Sequence, residues 1–311
     1  MKPYLKNALK KVISELLTQE PGNKINTSLF KVRNKHKWFF RSIYGTANDE
    51  EILNTLLQKL NGKFDILMIH CSFNNMIPMY TGNLGKLLSF IISYCNQNNM
   101  TLVMPTFFLG SNYQAKEHYE NGKNIFDVRK TVSEMGLLSE IFRRTPEVKR
   151  SIHPTHSLCA LGPLADKLTR NHHLADTTFG EGTPFSEILK YRTMILGIGT
   201  GNEVLTQIHS AEDILKDKFP IILYSGIIPV TCLDELGNKL IYNLRIKSPE
   251  YIYDRKSFRK ILKGINIMEW TYKGIPFFLT QANVVAETFI EAAKNGQTIY
   301  KKKKINLKYK N

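Results

Sequence analysis

The 311-residue chain carries a formal charge of +16, is 42% hydrophobic, and has ordinary amounts of Gly and Pro. Such material makes one large domain or two small ones, and it excludes a disordered, fibrous or disulfide-stapled chain. No apolar run reaches the ~18 residues of a membrane-spanning helix, and the start of the chain lacks the order of a signal peptide, so a cytoplasmic location is expected.

Leu5, Leu9, Val12 and Leu16 recur at helical spacing, which predicts an amphipathic helix over 4–19 stopped near Pro21-Gly22. The basic, aromatic segment Lys31 to Tyr44 is read as a linker or an arm docked by Trp38, Phe39 and Phe40. Three parts follow: an N-terminal helix and arm over 1–45, a compact body over 46–298, and a Lys-rich tail over 299–311. The positive charge belongs to the ends. Residues 1–41 sum to +8, residues 301–311 to +6, and everything between to only +2. Lys301 to Lys304, Lys308 and Lys310 suit weak contact with an anionic surface. No helix-turn-helix, zinc-finger or single-strand-binding pattern supports a nucleic-acid partner.

Within the body, Thr46 or Asn48 can cap a helix through about Leu60, with acids at its positive end. Phe64 to Ile69 reads as a buried strand, 84–95 as a helix, and Thr101 to Met104 as a second strand closed by Pro105. This order favours an α/β unit that starts largely parallel. Residues 107–130 are expected as an irregular active-site loop and 133–143 as a helix. Further strands are expected over 191–198 and 221–224, short strands and turns over 226–278, and a closing helix over 284–293. Cys71, Cys95, Cys159 and Cys232 form no CxxC pair and match neither a zinc site nor a disulfide framework.

Three stretches put reactive groups where elements end. His70-Cys71-Ser72-Phe73-Asn74 lies at a strand's C-terminal end, which faces the usual ligand crevice of an α/β sheet. Arg150-Ser151-Ile152-His153-Pro154-Thr155-His156-Ser157 gathers two histidines, hydroxyls and an arginine, and Pro154 restricts His153 to an extended conformation. Thr206, His209 and Glu212, spaced by three, share one helical face, where the acid can orient an imidazole. The run Gly197 to Asn202 just before them is a close-approach loop, without the full dinucleotide or phosphate-loop fingerprint. A zinc site built from His153, His209 and Glu212, or a Cys71 nucleophile assisted by His153, stays open on residue types alone.

These blocks, in order, resemble the aminoglycoside 3-N-acetyltransferase family over roughly residues 46–298. The matching segments are His70-Cys71-Ser72 with Thr81-Gly82, and Thr101 to Thr106. Phe126-Asp127, Thr131, Met135-Gly136 and Arg143 follow, then Arg150-Ser151, His153-Pro154, Ser157 and Gly162. Gly180 to Pro184, and Thr206, His209 and Glu212, close the series. The resemblance implies a three-layer α/β/α sandwich around a central mixed sheet, with CoA entering a cleft beside the first motif. It implies an N-acyltransferase that moves an acetyl group from acetyl-CoA to an amine in a ternary complex, with no metal expected.

By that resemblance His153 is the general base and Glu212 its supporting carboxylate, with His209 and Thr206 at the reaction centre. His70, Cys71, Ser72 and Phe73 would line the CoA path. Thr106 and Ser157 would lie beside it, and Arg143 and Arg150 would meet the CoA phosphates. The near-neutral body favours an amino sugar or glycan-precursor amine over a strongly polycationic acceptor. A homodimer is compatible with this reading. The alternatives are a noncatalytic glycan-binding or scaffold protein on the same fold, and a zinc-dependent hydrolase.

Overall fold

The computed structural model describes residues 30–303 apart from 61–62, 110–111 and 123. The helix expected over 4–19 and the lysines from Lys304 onward lie outside them. Three apolar runs build the centre: β1 (Ile66–Cys71), β2 (Thr101–Pro105) and β6 (Thr193–Ile198). Both neighbours of β1 run parallel to it, β2 in register Ile66 to Thr101 and β6 in register Ile66 to Thr193. Strands buried on both faces need continuous rather than alternating hydrophobicity, and these have it.

Antiparallel strands extend the sheet at both edges. β5 (Leu158–Leu161) and β4 (Lys149–Arg150) continue beyond β2, and β11 (Ile275–Gln281) and β10 (Met268–Tyr272) beyond β6. The result is one mixed seven-stranded sheet in the order β10-β11-β6-β1-β2-β5-β4.

Side chains alternate across the pleat and so feed two cores. Leu67, Ile69, Leu102 and Leu196 point to a layer closed by helices Asp49–Leu57 and Leu84–Gln97. Ile66, Met68, Val103 and Ile195 point to the opposite layer, closed by helices Arg255–Leu262 and Ala282–Lys294. Each fully buried aliphatic side chain contributes roughly 1.5–3 kcal/mol. Asn48 and Glu51 form a reciprocal capping box on the first of these helices, which fixes where it starts. The architecture is the expected three-layer α/β/α sandwich.

Several segments differ from expectation, among them the strand expected over 221–224, which instead begins at Tyr224. Residues 107–130 hold a helix, Asn112–Tyr119, and a short strand, β3 (Phe126–Asp127). They are ordered by a hairpin distant in sequence, β7 (Tyr224–Leu233) with β8 (Lys239–Lys247), which replaces the expected short strands. β3 pairs parallel with β7, and Tyr119, Phe126, Val230, Cys232, Tyr242 and Leu244 make a third core there. The segment read as a linker or a docked arm is helical over 30–35 and over Lys37–Tyr44. Phe40 and Ile43 are buried, whereas Trp38, expected to dock, is 70% exposed. Finally, β12 (Tyr300–Lys302) pairs with β9 (Tyr251–Tyr253), so the body continues past residue 298. Among the described residues no helix is long and apolar enough to cross a membrane.

Candidate active site

The C-terminal ends of β1, β2 and β6 open into a cleft of about 990 Å³, the position at which open α/β sheets receive ligands. His70, Cys71, Ser72 and Phe73 line it, as do Pro105, Met135, Thr200 and Gly201. The glycine run before Thr200 permits the close approach expected of it. A Cβ at Gly197 would lie 2.0 Å from the Phe278 ring, and one at Gly199, where φ is +67°, would lie 2.5 Å from the Ser72 carbonyl oxygen. His70 is buried, its Nε2 has no hydrogen-bond partner, and burial pushes its pKa down to about 4. Burial pushes the Cys71 thiol up to about 12, which removes it as a thiolate nucleophile.

The Arg150 to Ser157 block sits inside the protein and lines no wall of this cleft. Arg150 Nε donates to Ser157 Oγ at 2.9 Å, Nη2 to the Thr106 carbonyl at 2.9 Å, and Nη1 to the carbonyls of Val128 and Thr131. Its guanidinium also lies 5.0 Å from the Phe126 ring centroid. Thr106 and Ser157 are fully buried partners in that knot. Arg143 is likewise spent on Glu140 and on the Arg129 carbonyl. The expectation that Arg143 and Arg150 meet CoA phosphates, with Thr106 and Ser157 beside them, is therefore corrected. Their donors and hydroxyls hold loops together.

His153 also requires correction. It is fully buried, and its Nδ1 accepts from the backbone N–H of His156 at 2.9 Å and of Thr155 at 3.2 Å. The ring lies between His172 and Tyr242, with both centroids 4.7 Å away. Two backbone donors occupy the lone pair, so the neutral ring carries its proton on Nε2 and offers no basic nitrogen. Burial, with His172 and His156 adding to it, holds its pKa well below the usual imidazole range. No hydrogen bond links His153 to Glu212.

His172, which sequence reasoning passed over, extends the knot. Its Nε2 faces the Thr178 carbonyl at 3.3 Å, which leaves Nδ1 to accept from Ser151 Oγ at 2.9 Å, while Ser151 Oγ accepts from the Leu158 N–H.

The third block assembles as a unit. Thr206–His209 is a turn of 3-10 helix leading into helix Ser210–Leu215, so residues three apart stack along one face. His209 Nδ1 lies 2.6 Å from Glu212 Oε1. Glu212 Oε2 accepts from Lys247 Nζ at 2.7 Å, and Tyr300 Oη donates to Oε1. Burial alone would raise this carboxyl, but Lys247 and His209 outweigh it and hold the pKa at about 2. An ionised Glu212 accepts only, so His209 must donate from Nδ1, which in the neutral tautomer leaves the lone pair on Nε2.

The imidazole side chain is 27% exposed and the carboxylate 1%. Phe179 packs 5.2 Å from the His209 ring, and its backbone N–H is held by Asp213 Oδ2 at 2.7 Å. Thr206 is buried and lines neither this cleft nor the one described next. Lys247, Tyr300, Asp213 and Phe179 were all missed from sequence.

A second cleft of about 870 Å³ lies beyond Glu212 and Asp213. Its walls come from residues 171–182, from 216–224 and from Arg245, and Asp176, Glu181 and Asp217 add acidic groups against Lys216 and Arg245. Val204 lines the first cleft and Glu212 the second, and His209, which lies between them in sequence, lines neither. Among the described residues no three His, Cys, Asp or Glu side chains converge as metal ligands, and His153 does not join His209 and Glu212.

The sequence pattern of the aminoglycoside 3-N-acetyltransferases matches residues 68–234. Aminoglycoside N(3)-acetyltransferase III of Serratia marcescens is 37% identical over 79 residues, 25% of this chain and 29% of that protein. A Bacillus subtilis prophage-derived aminoglycoside N(3')-acetyltransferase-like protein, YokD, is 35% identical over 82 residues, 26% of this chain and 30% of that protein. The chain thus spans about three-tenths of the length of these curated relatives.

Solved structures align much further. Aminoglycoside acetyltransferase AAC(3)-Xa superposes with a TM-score of 0.64 at 20% identity, covering 89% of this chain and 99% of that one. AAC-IIIb in a binary complex with CoASH gives 0.61 at 17% identity, covering 81% and 98%. The fold is shared with both, and the pattern covers more than half of the sequence. The chain belongs to the aminoglycoside 3-N-acetyltransferase family.

Proposed function

We propose that the protein is an acetyl-CoA-dependent N-acetyltransferase in which His209, rather than His153, is the general base. The observation that carries this reading is the 2.6 Å contact of His209 Nδ1 with the ionised, buried Glu212, which lines the second cleft. The cleft at the ends of β1, β2 and β6 takes the thioester, and a structural neighbour, AAC-IIIb, forms a binary complex with CoASH. The acidic cleft takes the acceptor.

An unprotonated amine attacks the thioester carbonyl, and a C–N bond forms as the carbonyl electrons move onto oxygen. His209 Nε2 takes the amine proton, and Glu212 stabilises the resulting imidazolium. Collapse of the tetrahedral adduct breaks the C–S bond and releases CoA thiolate, which is stable enough that no covalent enzyme intermediate is needed. Lys247 keeps Glu212 ionised throughout.

The acceptor is an amino sugar. The charge of the body as a whole pointed to a weakly cationic one, but the second cleft is locally acidic through Asp176, Glu181 and Asp217 and suits a carbohydrate bearing several ammonium groups. Thiol release from acetyl-CoA, measured against amino sugars, nucleotide-linked amino sugars and aminoglycosides, tests this. The expected result is amine-dependent release that is highest for acceptors with more than one ammonium group. Absence of release with every amine overturns the reading.

A further inference from the structure

The helical arm over 30–44 is outside the segment that matches the family, yet Phe30, Arg33 and Tyr44 form part of the first cleft's wall. The arm is fastened without any ligand, since Arg41 Nε donates to the Pro78 carbonyl at 2.8 Å and Ile43 is fully buried. Arg33 is only 9% exposed. Nη2 of its guanidinium donates to the Asn75 carbonyl at 2.9 Å and lies 3.9 Å from Met79 Sδ. Among the described residues Nε is buried with no hydrogen-bond partner, and burial lowers the pKa. Neither carboxylate of the cleft, Glu134 or Glu203, pairs with it, and Glu134 accepts instead from the Leu109 N–H.

Among the described residues no carboxylate pairs with this guanidinium, and a charge taken out of water without a counter-ion is unfavourable. Such a group at the wall of a large cleft matches an anion that arrives with the ligand. The fork of N–H donors suits a phosphate oxygen pair better than any other common anion on a thioester donor.

We propose that Arg33 is a phosphate contact for the acyl donor, supplied by the N-terminal arm, so that the arm selects a phosphorylated thioester over a bare pantetheine thioester. This rests on the donor-cleft assignment made above. The phosphate is either the diphosphate or the 3′-phosphate of CoA.

Calorimetric binding of CoA, 3′-dephospho-CoA and pantetheine to the full-length protein and to Arg33→Met tests the proposal. In Arg33→Met the dissociation constant for CoA should rise about tenfold or more, as expected for the loss of one charge-assisted contact. The constant for pantetheine should not change. A loss shared by 3′-dephospho-CoA assigns the contact to the diphosphate, and a loss confined to CoA assigns it to the 3′-phosphate.

The ligand-free variant should melt at or above the wild-type temperature, because an uncompensated buried charge has been removed, whereas a purely structural Arg33 would lower it. Arg33→Lys should lose CoA affinity too, but less than Arg33→Met, since it keeps the charge and loses the fork. Wild-type-like CoA binding by Arg33→Met, or an equal loss for pantetheine, overturns this inference alone. Failure of the wild-type protein to bind CoA overturns the donor-cleft assignment and this inference with it.

Discussion

Glu212→Gln exchanges one oxygen for NH2 at almost constant volume, so its effect can be worked out atom by atom. Lys247 Nζ, 2.7 Å from Oε2, has only protons to give, so the surviving amide oxygen must face it. The NH2 then faces His209 Nδ1, which lies 2.6 Å from Oε1 in the native protein. Because NH2 also donates, Nδ1 must accept, and the ring proton moves to Nε2, the nitrogen that has to be bare. The variant therefore holds the wrong tautomer and lacks the negative charge beside a forming imidazolium.

A charge-assisted hydrogen bond contributes ~1.5–3 kcal/mol. With the tautomer penalty the expected loss is on the order of 3–5 kcal/mol, or about 10²–10⁴ in kcat. Thiol release at saturating acetyl-CoA and acceptor measures this, with a thermal melt run alongside to show that the variant is folded. A folded variant turning over within about fivefold of wild type would refute the dyad.

Three further outcomes follow from the buried polar groups. His153→Ala empties the space between His172 and Tyr242 and strands two backbone N–H groups, so unfolding titrations should show a loss of ~3 kcal/mol or more. The folded fraction should keep kcat within about tenfold, and a thousandfold loss at an unchanged melting temperature would restore His153 as the base. Arg150→Met leaves the Thr106, Val128 and Thr131 carbonyls and Ser157 Oγ without a donor and should be destabilised by ~3–5 kcal/mol, read from the denaturant midpoint.

Acid should weaken the fold well before carboxylates titrate. His70 and His172 are held neutral, with pKa values lowered to about 4 and about 3 by burial, while the unfolded chain takes up protons near pH 6.5. Their contribution is complete above pH 6.5 and is lost as the pH falls toward those lower values, which gives roughly 2 kcal/mol apiece by pH 5. Urea titrations at pH 7 and pH 5 with equal midpoints would contradict this.

What the sequence reveals depends on how local the determining contacts are. β1, β2 and β6 are legible because strands covered on both faces must be apolar throughout, and helix Asp49–Leu57 is legible because Asn48 and Glu51 cap it within four residues. The hairpin of β7 and β8 is not. Ile227 and Ile241 are apolar yet each is 61% exposed, which blurs the alternation that marks a one-sided strand.

Likewise, the spacing of Thr206, His209 and Glu212 announces a shared face, but Lys247 and Tyr300 reach Glu212 from 35 and 88 residues away. His153 shows the converse problem. An extended histidine before proline reads the same whether its lone pair meets a substrate or two backbone N–H groups, and only its placement beside Thr155 and His156 decides.

The hairpin has a consequence for how selectivity can change. Because β8 pairs with β7 and β7 with β3, and among the described residues neither hairpin strand pairs with the seven-stranded sheet, they form an appendage whose outer surface can be remodelled without shifting a register in the core. Tyr224 and Lys247, at its two feet, tie it to Asp213 and Glu212. On the proposed assignment of the second cleft, to which the hairpin contributes Tyr224 and Arg245, grafting a relative's hairpin while keeping its two feet is a compact route to redirecting acceptor choice.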